Sequence, residues 1–440
     1  MFPLAKKHIY FTHLLSGLLM GFCVLHSHFI TASFVALFAL VPMFYTYPKL
    51  TGLWPRYWAG LLFASAYFIP NSLWFFYFMP TWQAILALTF PVLFANIFTL
   101  PILLKNPGFL KIAFTLALAW LAFVAFRVQT PGVDFWWFPH LGYTQWKNTL
   151  VVQLARWGGI YPVIGWVLLS NILIAYALHK KKFVLVGLAI IALPVLYSTA
   201  NQLLNFDNNH QPKFNLIALQ ATHDNTQKLL IEEDYNKLER MTENALQQIT
   251  RTDLPTFVVW PEAEIHTDTL LHNKLFNRVQ DFVRKNNIYL SCVLYFPSGS
   301  DRPNEASTII DPNGKIISKS FKKHTASEEY SIGKEFFEKT SLNGVVIGAA
   351  DCFDFHFPDI KEKMKQTELF FGNIDDGEFG KWLPYFHAVD ILFHAVQTGN
   401  SVLTSSFNGP TFYARKNGSV VEILPLEKDG VIITTYNLTP

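Results

Sequence analysis

Apolar positions crowd the chain up to about residue 201 and thin out after it, so the two halves are built for different solvents. Windows of about 20 mostly apolar residues, the length a bilayer core requires, fall near 9–27, 30–47, 58–78, 83–104, 110–128, 160–179 and 183–201. Residues 1–204 are therefore expected to form an all-α polytopic membrane bundle of about seven spans. Pro70, Pro91, Pro101, Pro162 and Pro194 lie inside these windows, which membrane helices tolerate where neighbouring groups satisfy the freed backbone. Lys6 and Lys7 precede the first window as in a signal peptide. No small-residue cleavage site follows and further spans do, so a retained first helix is expected.

From Lys213 the periodicity changes. Asn215–Gln220 is an apolar run, 234–251 a polar helical stretch, Thr256–Trp260 apolar again, Asn273–Asn286 helical and Tyr289–Tyr295 apolar, an alternation of strand and helix. Thr308–Asp311 and Lys315–Ser318 flank the turn Pro312-Asn313-Gly314, which predicts a hairpin, and Gly344–Ala350 is a further apolar strand. Ala388–Gln397 reads as a helix, followed by strands at Ser401–Ser405, Thr411–Arg415 and Val420–Leu424. This order fits an α/β sandwich over 213–440, with helices outside and mixed sheets inside. Lys361–Lys381, rich in charge and glycine, reads either as a mobile lid or as an inert surface excursion.

Composition sharpens the division. Only 15% of residues are charged and 51% are hydrophobic, against about 25% charged in ordinary soluble proteins, and the excess apolarity lies in the first half. A net charge of +3 gives no basic face for nucleic acid, and no nucleic-acid role is expected. Lys6, Lys7, Lys49, Arg56, Lys105, Lys111, Lys180, Lys181 and Lys182 collect on one side of the expected spans, and only Arg127, Lys147 and Arg156 on the other. That asymmetry places the N-terminus in the cytoplasm. Seven spans then deliver the second half to the opposite face, in a bacterium the periplasmic side of the inner membrane. Between Arg127 and Ile160, Phe135, Trp136, Trp137, Phe138, Tyr143, Trp146 and Trp157 form an aromatic cluster. It reads as an interfacial belt or as the lining of an access path for lipid.

Candidate chemistry sits at strand ends, where α/β folds commonly hold it. Glu262 follows Phe257–Pro261, Lys322 or Lys323 follows the hairpin, and Cys352 follows Val345–Ala350. A thiol attacks only as thiolate and needs a base for its proton and a cation for the charge. Glu262 is suited to the first task and a lysine to the second, including the oxyanion of a tetrahedral intermediate. Taken singly, such a cysteine is more often core packing and such a glutamate an N-terminal helix charge. Cys292 lies mid-strand and Cys23 inside an apolar span, where buried inert thiols are the default. The cysteines lack metal-ligand spacing, as do His324, His356, His387 and His394. No metal, cofactor or disulfide framework is expected.

Together the three segments resemble the nitrilase (carbon-nitrogen hydrolase) superfamily, whose Glu-Lys-Cys triad occurs in this order. Trp260-Pro261-Glu262 is similar to its glutamate motif, and Gly348–Asp354 with Phe357-Pro358-Asp359 to its cysteine motif. A nitrilase-like domain behind apolar spans resembles the apolipoprotein N-acyltransferase family. Phe138-Pro139-His140-Leu141-Gly142-Tyr143-Thr144-Gln145, Leu219-Gln220 and Asn408-Gly409 resemble further family segments. The resemblance implies an αββα sandwich, Glu262 as general base, Lys322 on the oxyanion side and Cys352 as the nucleophile that becomes an acyl thioester. It further implies a phospholipid acyl donor and a lipoprotein N-terminal amine as acceptor. Lys322 lies two before His324 as the family spacing asks, but Ser320 stands for the usual tyrosine, so Lys323 stays open. A second family glutamate could be Glu328 or Glu329.

Other positions depart from the family. Asp354 stands for a glutamate, Leu229 for a tryptophan, Val124 for a membrane glutamate, and His394, Gln397 and Asn400 for Arg, Glu and Arg. An eighth, C-terminal span has no counterpart before Pro440. Acyl transfer from phospholipid to an amine is the leading expectation. The alternatives are a diverged membrane nitrilase homologue acting on another amide or acyl substrate, as conjugal-transfer-associated relatives of this architecture suggest, and a non-catalytic scaffold.

Overall fold

The computed structural model describes residues 4–73, 76, 81, 85, 88–130, 139–181, 212–222, 232–262, 265–266, 270–297, 304–324, 336–377 and 383–437. The chain divides into two units, Met1–Gln202 and Leu203–Pro440.

In the first unit, among the described residues, four helices are long and apolar enough to cross a membrane: Lys7–Leu25, Ile30–Lys49, Phe109–Gln129 and Ile160–Lys180. A shorter apolar helix covers Phe90–Leu103. The helix Leu53–Ser72 has the length of a span, but Arg56, Asn71 and its Trp and Tyr residues dilute its apolarity. The expected seven spans are thus not established, and the window 183–201 lies outside the described residues. The spans pack by small residues and amides, as helices in lipid must where apolar burial no longer discriminates. Gly17 and Gly21 sit against Leu53–Ser72 so closely that a Cβ on Gly17 would meet the Phe63 carbonyl and, at 2.9 Å, the Ala66 Cβ. Asn71 closes the same contact by donating to the Gly21 carbonyl at 3.1 Å. The second span breaks between Ala36 and Val41, and Asn171 satisfies both sides of the break. It accepts from the Leu40 N–H and donates to the Ala36 carbonyl, each at 2.8 Å.

The loop Pro139–Trp146 is tied into this unit. Arg127 donates to the Pro139 carbonyl at 2.7 Å, Gln145 to the Ser33 carbonyl at 3.0 Å, and the Trp146 indole to the Ser27 carbonyl at 2.9 Å. Tyr143 and Trp146 are buried while Trp157 is exposed. Only Trp157 is placed as an interfacial belt requires, and Phe135–Phe138 lie outside the described residues.

The second unit contains β1 (Pro212–Ala221), β2 (Thr256–Val259), β3 (Ile265–His266), β4 (Tyr289–Phe296), β5 (Asn304–Ile310), β6 (Ile316–Phe321), β7 (Phe337–Glu338), β8 (Thr340–Leu342), β9 (Val345–Asp351), β10 (Leu369–Asp375), β11 (Ser401–Phe407), β12 (Phe412–Ala414), β13 (Val420–Ile423) and β14 (Gly430–Asn437). The path β7-β6-β5-β4-β2-β1-β11-β10-β9-β8 carries β14 beside β1 and β12–β13 beside β11. In the strand ladder its two arms join where Gln220 and Ala221 pair with Ser406 and Phe407. Either side of that joint the ladders β1–β2, β2–β4, β9–β10 and β10–β11 are parallel, and β4–β5–β6 antiparallel.

Because strand side chains alternate between faces, β1 builds two cores at once. Leu216 and Ala218 join Phe257, Val259, Ile347, Ala349, Phe371 and Leu403 in a cluster drawn from both arms. Ile217 and Leu219 join Trp260, Tyr235, Leu238, Phe282 and Val283 in a second cluster, beneath the helices Glu232–Leu246 and Leu270–Asn286. A strand buried on both faces reads as a continuous apolar run, as Asn215–Gln220 does. The sequence reading misplaces one element: Lys361–Lys381 is neither lid nor excursion in its described part. It contains the helix Ile360–Met364 and the buried strand β10, whose charged flanks mask the apolar core Leu369–Phe371.

Candidate active site

The ends of β2, β6 and β9 bring the three sequence-predicted residues together. Glu262 leaves β2 after Trp260-Pro261, and its backbone N–H donates to the Ile374 carbonyl at 3.2 Å. Trp260 fixes that exit by donating from its indole to Thr242 at 3.0 Å, while Asn373 donates to the Trp260 carbonyl at 2.7 Å. Lys322 leaves β6 with its N–H on the Glu305 carbonyl at 2.9 Å. Cys352 opens a short 3-10 turn, Cys352–His356, at the end of β9.

Lys322 is the hub. Its ammonium lies 2.8 Å from Glu262 Oε1, 3.0 Å from Glu305 Oε2 and 3.5 Å from Asp351 Oδ1. These contacts put Lys322 beside Glu262, whereas the Lys323 ammonium lies 2.8 Å from Asp359. One oxygen of each of Glu262, Glu305 and Asp351 lies within 4.8 Å of the others, the arrangement of a small cation site, and the cation it encloses is the Lys322 ammonium. Glu328 and Glu329 lie outside the described residues. The additional acids that the described structure places at the lysine are Glu305 and Asp351. Glu305 escapes the sequence reading because β5 begins at Asn304, before the apolar run that marks it. A lone acid three residues before the predicted hairpin strand, and another directly before the cysteine, were the available signals.

Burial decides the electrostatics. It works against the Glu262 carboxylate, but the Lys322 charge and hydrogen bonds from Glu305, Lys322 and Cys352 outweigh it and leave its pKa below the ordinary value. Burial pushes Asp351 well above the carboxylate range, with Glu262 and Glu305 adding to the effect. Glu305 is raised to about 7 by burial, against the pull of Lys322. For Lys322, burial is outweighed by Asp351, Glu262 and Glu305, so it stays an ammonium. The Cys352 thiol is pushed well above its usual range by burial and by the Glu262 charge, which Lys322 offsets only in part. The resting site therefore holds a protonated thiol next to an ionised carboxylate and a fixed cation.

Further groups hold this arrangement. The Cys352 carbonyl lies 2.8 Å from His387 Nε2, and His387 Nδ1 lies 3.0 Å from Asp376. Both ring nitrogens face acceptors, which fits the raised pKa of His387, where Asp376 overcomes the cost of burial. Asp354 accepts the N–H groups of Lys323 at 3.0 Å and His324 at 2.8 Å, and buried Lys363 holds it at 3.3 Å. His324 stacks on Phe357 with 3.6 Å between ring centres. Cys292 is buried with its pKa raised to about 12 by burial, an inert core thiol. His394 is lowered to about 3 by burial, and Asn400 donates to the Met364 and Thr367 carbonyls, so both are built into the packing. Gln220 is likewise structural: it donates to the Pro425 and Lys428 carbonyls and accepts from the Thr411 N–H.

Two solved structures of an amidase from Nesterenkonia sp. AN1 are similar to part of the chain. One, with the acetamide moiety of fluoroacetamide covalently added at its active-site cysteine, is 12% identical and covers 52% of this chain and 93% of its own, with a TM-score of 0.43. The other, from a mutant described as of the nitrilase superfamily, is 13% identical and covers 51% and 91%, with a TM-score of 0.42. No curated protein matches the sequence. Residues 16–173 match the family model described as the apolipoprotein N-acyltransferase N-terminal domain. The match lies within the first unit, and over that stretch the chain is similar to the apolipoprotein N-acyltransferase family.

Proposed function

We propose that the protein is a membrane acyltransferase that moves an acyl chain from a phospholipid, through a thioester on Cys352, to an amine, as in lipoprotein N-acylation. The observation that carries this reading is the convergence of Glu262, Lys322 and Cys352 at neighbouring strand ends, with the ammonium 2.8 Å from Glu262 and the thiol donating to the Asp375 carbonyl at 3.5 Å. In the first half-reaction the thiol proton passes to Glu262 as sulfur attacks the ester carbonyl, and Lys322 faces the developing oxyanion. Collapse expels the lysophospholipid oxygen, which takes the proton back from Glu262 and leaves the acyl thioester. In the second half-reaction Glu262 takes a proton from the incoming amine, the carbon–sulfur bond breaks, and the thiolate regains that proton. Two half-reactions on one thiol require ping-pong kinetics.

The test is mass spectrometry of the purified protein after incubation with mixed phospholipids. An acyl adduct on the Cys352 peptide, present in Cys292→Ala and lost in Cys352→Ala, is expected; no adduct in any sample refutes the reading. A second reading, a diverged relative acting on another acyl or amide substrate, is favoured by the packing of His394 and Asn400, which spends those positions on structure. Complementation of a strain depleted of lipoprotein N-acylation separates the two, since only the first predicts rescue. For either reading we place the second unit on the periplasmic side of the inner membrane.

A further inference from the structure

Three carboxyls, those of Glu305 and Asp351 fully buried, surround one ammonium at the candidate site, and Glu262 alone is required by the chemistry above. The other two need an account. Glu305 projects from β5 and Asp351 from the end of β9, and both are essentially without solvent exposure. Glu305 Oε1 accepts from the Tyr295 hydroxyl at 2.9 Å. Glu305 Oε2 and both oxygens of Asp351 meet no hydrogen-bond donor, although Lys322 lies near Glu305 Oε2 and Asp351 Oδ1 at ion-pair distance. Buried acceptors left without donors are costly, and two anions so close in low dielectric cannot both persist. A single proton placed between the two carboxyls resolves both problems, because it turns one orphaned oxygen into a donor for the other.

We propose that Glu305 and Asp351 hold one proton between them beside Lys322, acting as one anion rather than two, and that this pair sets the charge against which Cys352 gives up its proton. The proposal rests on Cys352 being the nucleophile. Among the described residues, the groups that bear on the pair are Glu262 after β2, Lys322 after β6 and the Cys352 thiol after β9, with the Tyr295 hydroxyl on β4. The raised pKa values of both carboxyls agree with this arrangement. With the proton retained, the pocket carries Lys322 against Glu262 and one further negative charge, and a thiolate forms at a bearable electrostatic cost. Both acids act through Lys322 and the thiol and are positioning residues.

Two measurements on the detergent-solubilised full chain test this. Infrared difference spectra near neutral pH are expected to show a protonated-carboxyl stretch that is absent from the double variant Glu305→Gln/Asp351→Asn. In Glu305→Gln alone that stretch changes frequency, because its hydrogen-bond partner has changed; this single variant keeps the test available if the double one does not fold. Alkylation of Cys352 by iodoacetamide, followed by mass spectrometry across pH, is expected to shift its midpoint downward by about one pH unit in Glu305→Gln, a roughly tenfold faster reaction at fixed pH. A wild-type spectrum without the band, or identical alkylation profiles in wild type and Glu305→Gln, overturns the proposal. Band and shift without any acyl adduct would instead leave the pair standing and remove the proposed function.

Discussion

Replacing Lys322 with methionine isolates the charge at the hub, since the methionine side chain fills the space of the lysine stem. At 2.8 Å and an effective dielectric near 20, the Lys322–Glu262 attraction alone is about 6 kcal/mol before desolvation is subtracted. Removing one member of a buried pair costs about 3–5 kcal/mol, because the remaining charge stays buried without compensation. The cost carries a sign in pH. In the wild type the Glu262 pKa is depressed, so its contribution is present above its unfolded pKa and is lost as pH falls through the folded value. Without Lys322, burial is the dominant influence on Glu262 and raises its pKa, so the variant is least stable near neutrality and recovers on acidification. The difference between the two proteins is then largest near pH 7 and narrows below about pH 5. For a unit the size of Leu203–Pro440, about 3–5 kcal/mol corresponds to a midpoint lower by roughly 6–20 °C. Thermal melts of solubilised wild type and Lys322→Met, followed by the fluorescence of buried Trp260 across pH, measure it. Equal midpoints at pH 7, or a gap that stays constant from pH 7 to pH 5, would refute the assignment of Lys322 as the compensating charge.

Three further substitutions follow from contacts elsewhere in the two units. Lys363→Met leaves buried Asp354 with only the two backbone donors that fix Lys323 and His324. A loss of about 2–4 kcal/mol and slower Cys352 acylation are expected, whereas Lys323→Met, whose pair with Asp359 is partly exposed, changes stability by less than about 1 kcal/mol; paired melts and adduct time courses compare them. Gly17→Leu drives a side chain into the Phe63 backbone and Ala66, so it should separate the helix pair and increase protease sensitivity in the first unit while the site in the second unit still labels at Cys352.

How far the sequence discloses this protein depends on how each signal is encoded. β1 is legible because both of its faces are buried, so every side chain from Leu216 to Leu219 is apolar. β10 is not, because the same burial at Leu369–Phe371 is followed by Gly372, Asn373 and Asp375, polar groups that serve the site rather than the core. Asn373 in particular looks like a loop residue and is a buried tie between Trp260 and Ser291. Glu262, Lys322 and Cys352 are legible as strand-end residues. The choice of Lys322 over Lys323 is not, since it depends on which of two adjacent side chains turns inward at the end of β6. Glu305 is hidden for a related reason: its partner Lys322 lies across a hairpin, and only pairing of β5 with β6 reveals that the two carry complementary charge.

A buried thiol with its pKa pushed above the usual range looks unsuited to nucleophilic attack, yet the geometry gives the high value a use. A low-pKa cysteine is a standing thiolate, open to alkylation and oxidation, and its intrinsic nucleophilicity falls with its pKa. In the proposed mechanism Cys352 instead keeps its proton until a carbonyl is placed, and Glu262, held ionised by Lys322, takes it as the carbon–sulfur bond forms. The cation that stabilises the departing charge is thereby also the cation that keeps the base available. This coupling makes Glu262 and Lys322 inseparable in their effect on the thiol: the charge-neutral isostere Glu262→Gln and the variant Lys322→Met should each slow acylation about as much as both together. Mass-spectrometric adduct rates for the two single variants and the double variant measure that non-additivity, and rates that fall multiplicatively would show that base and cation act as separate devices.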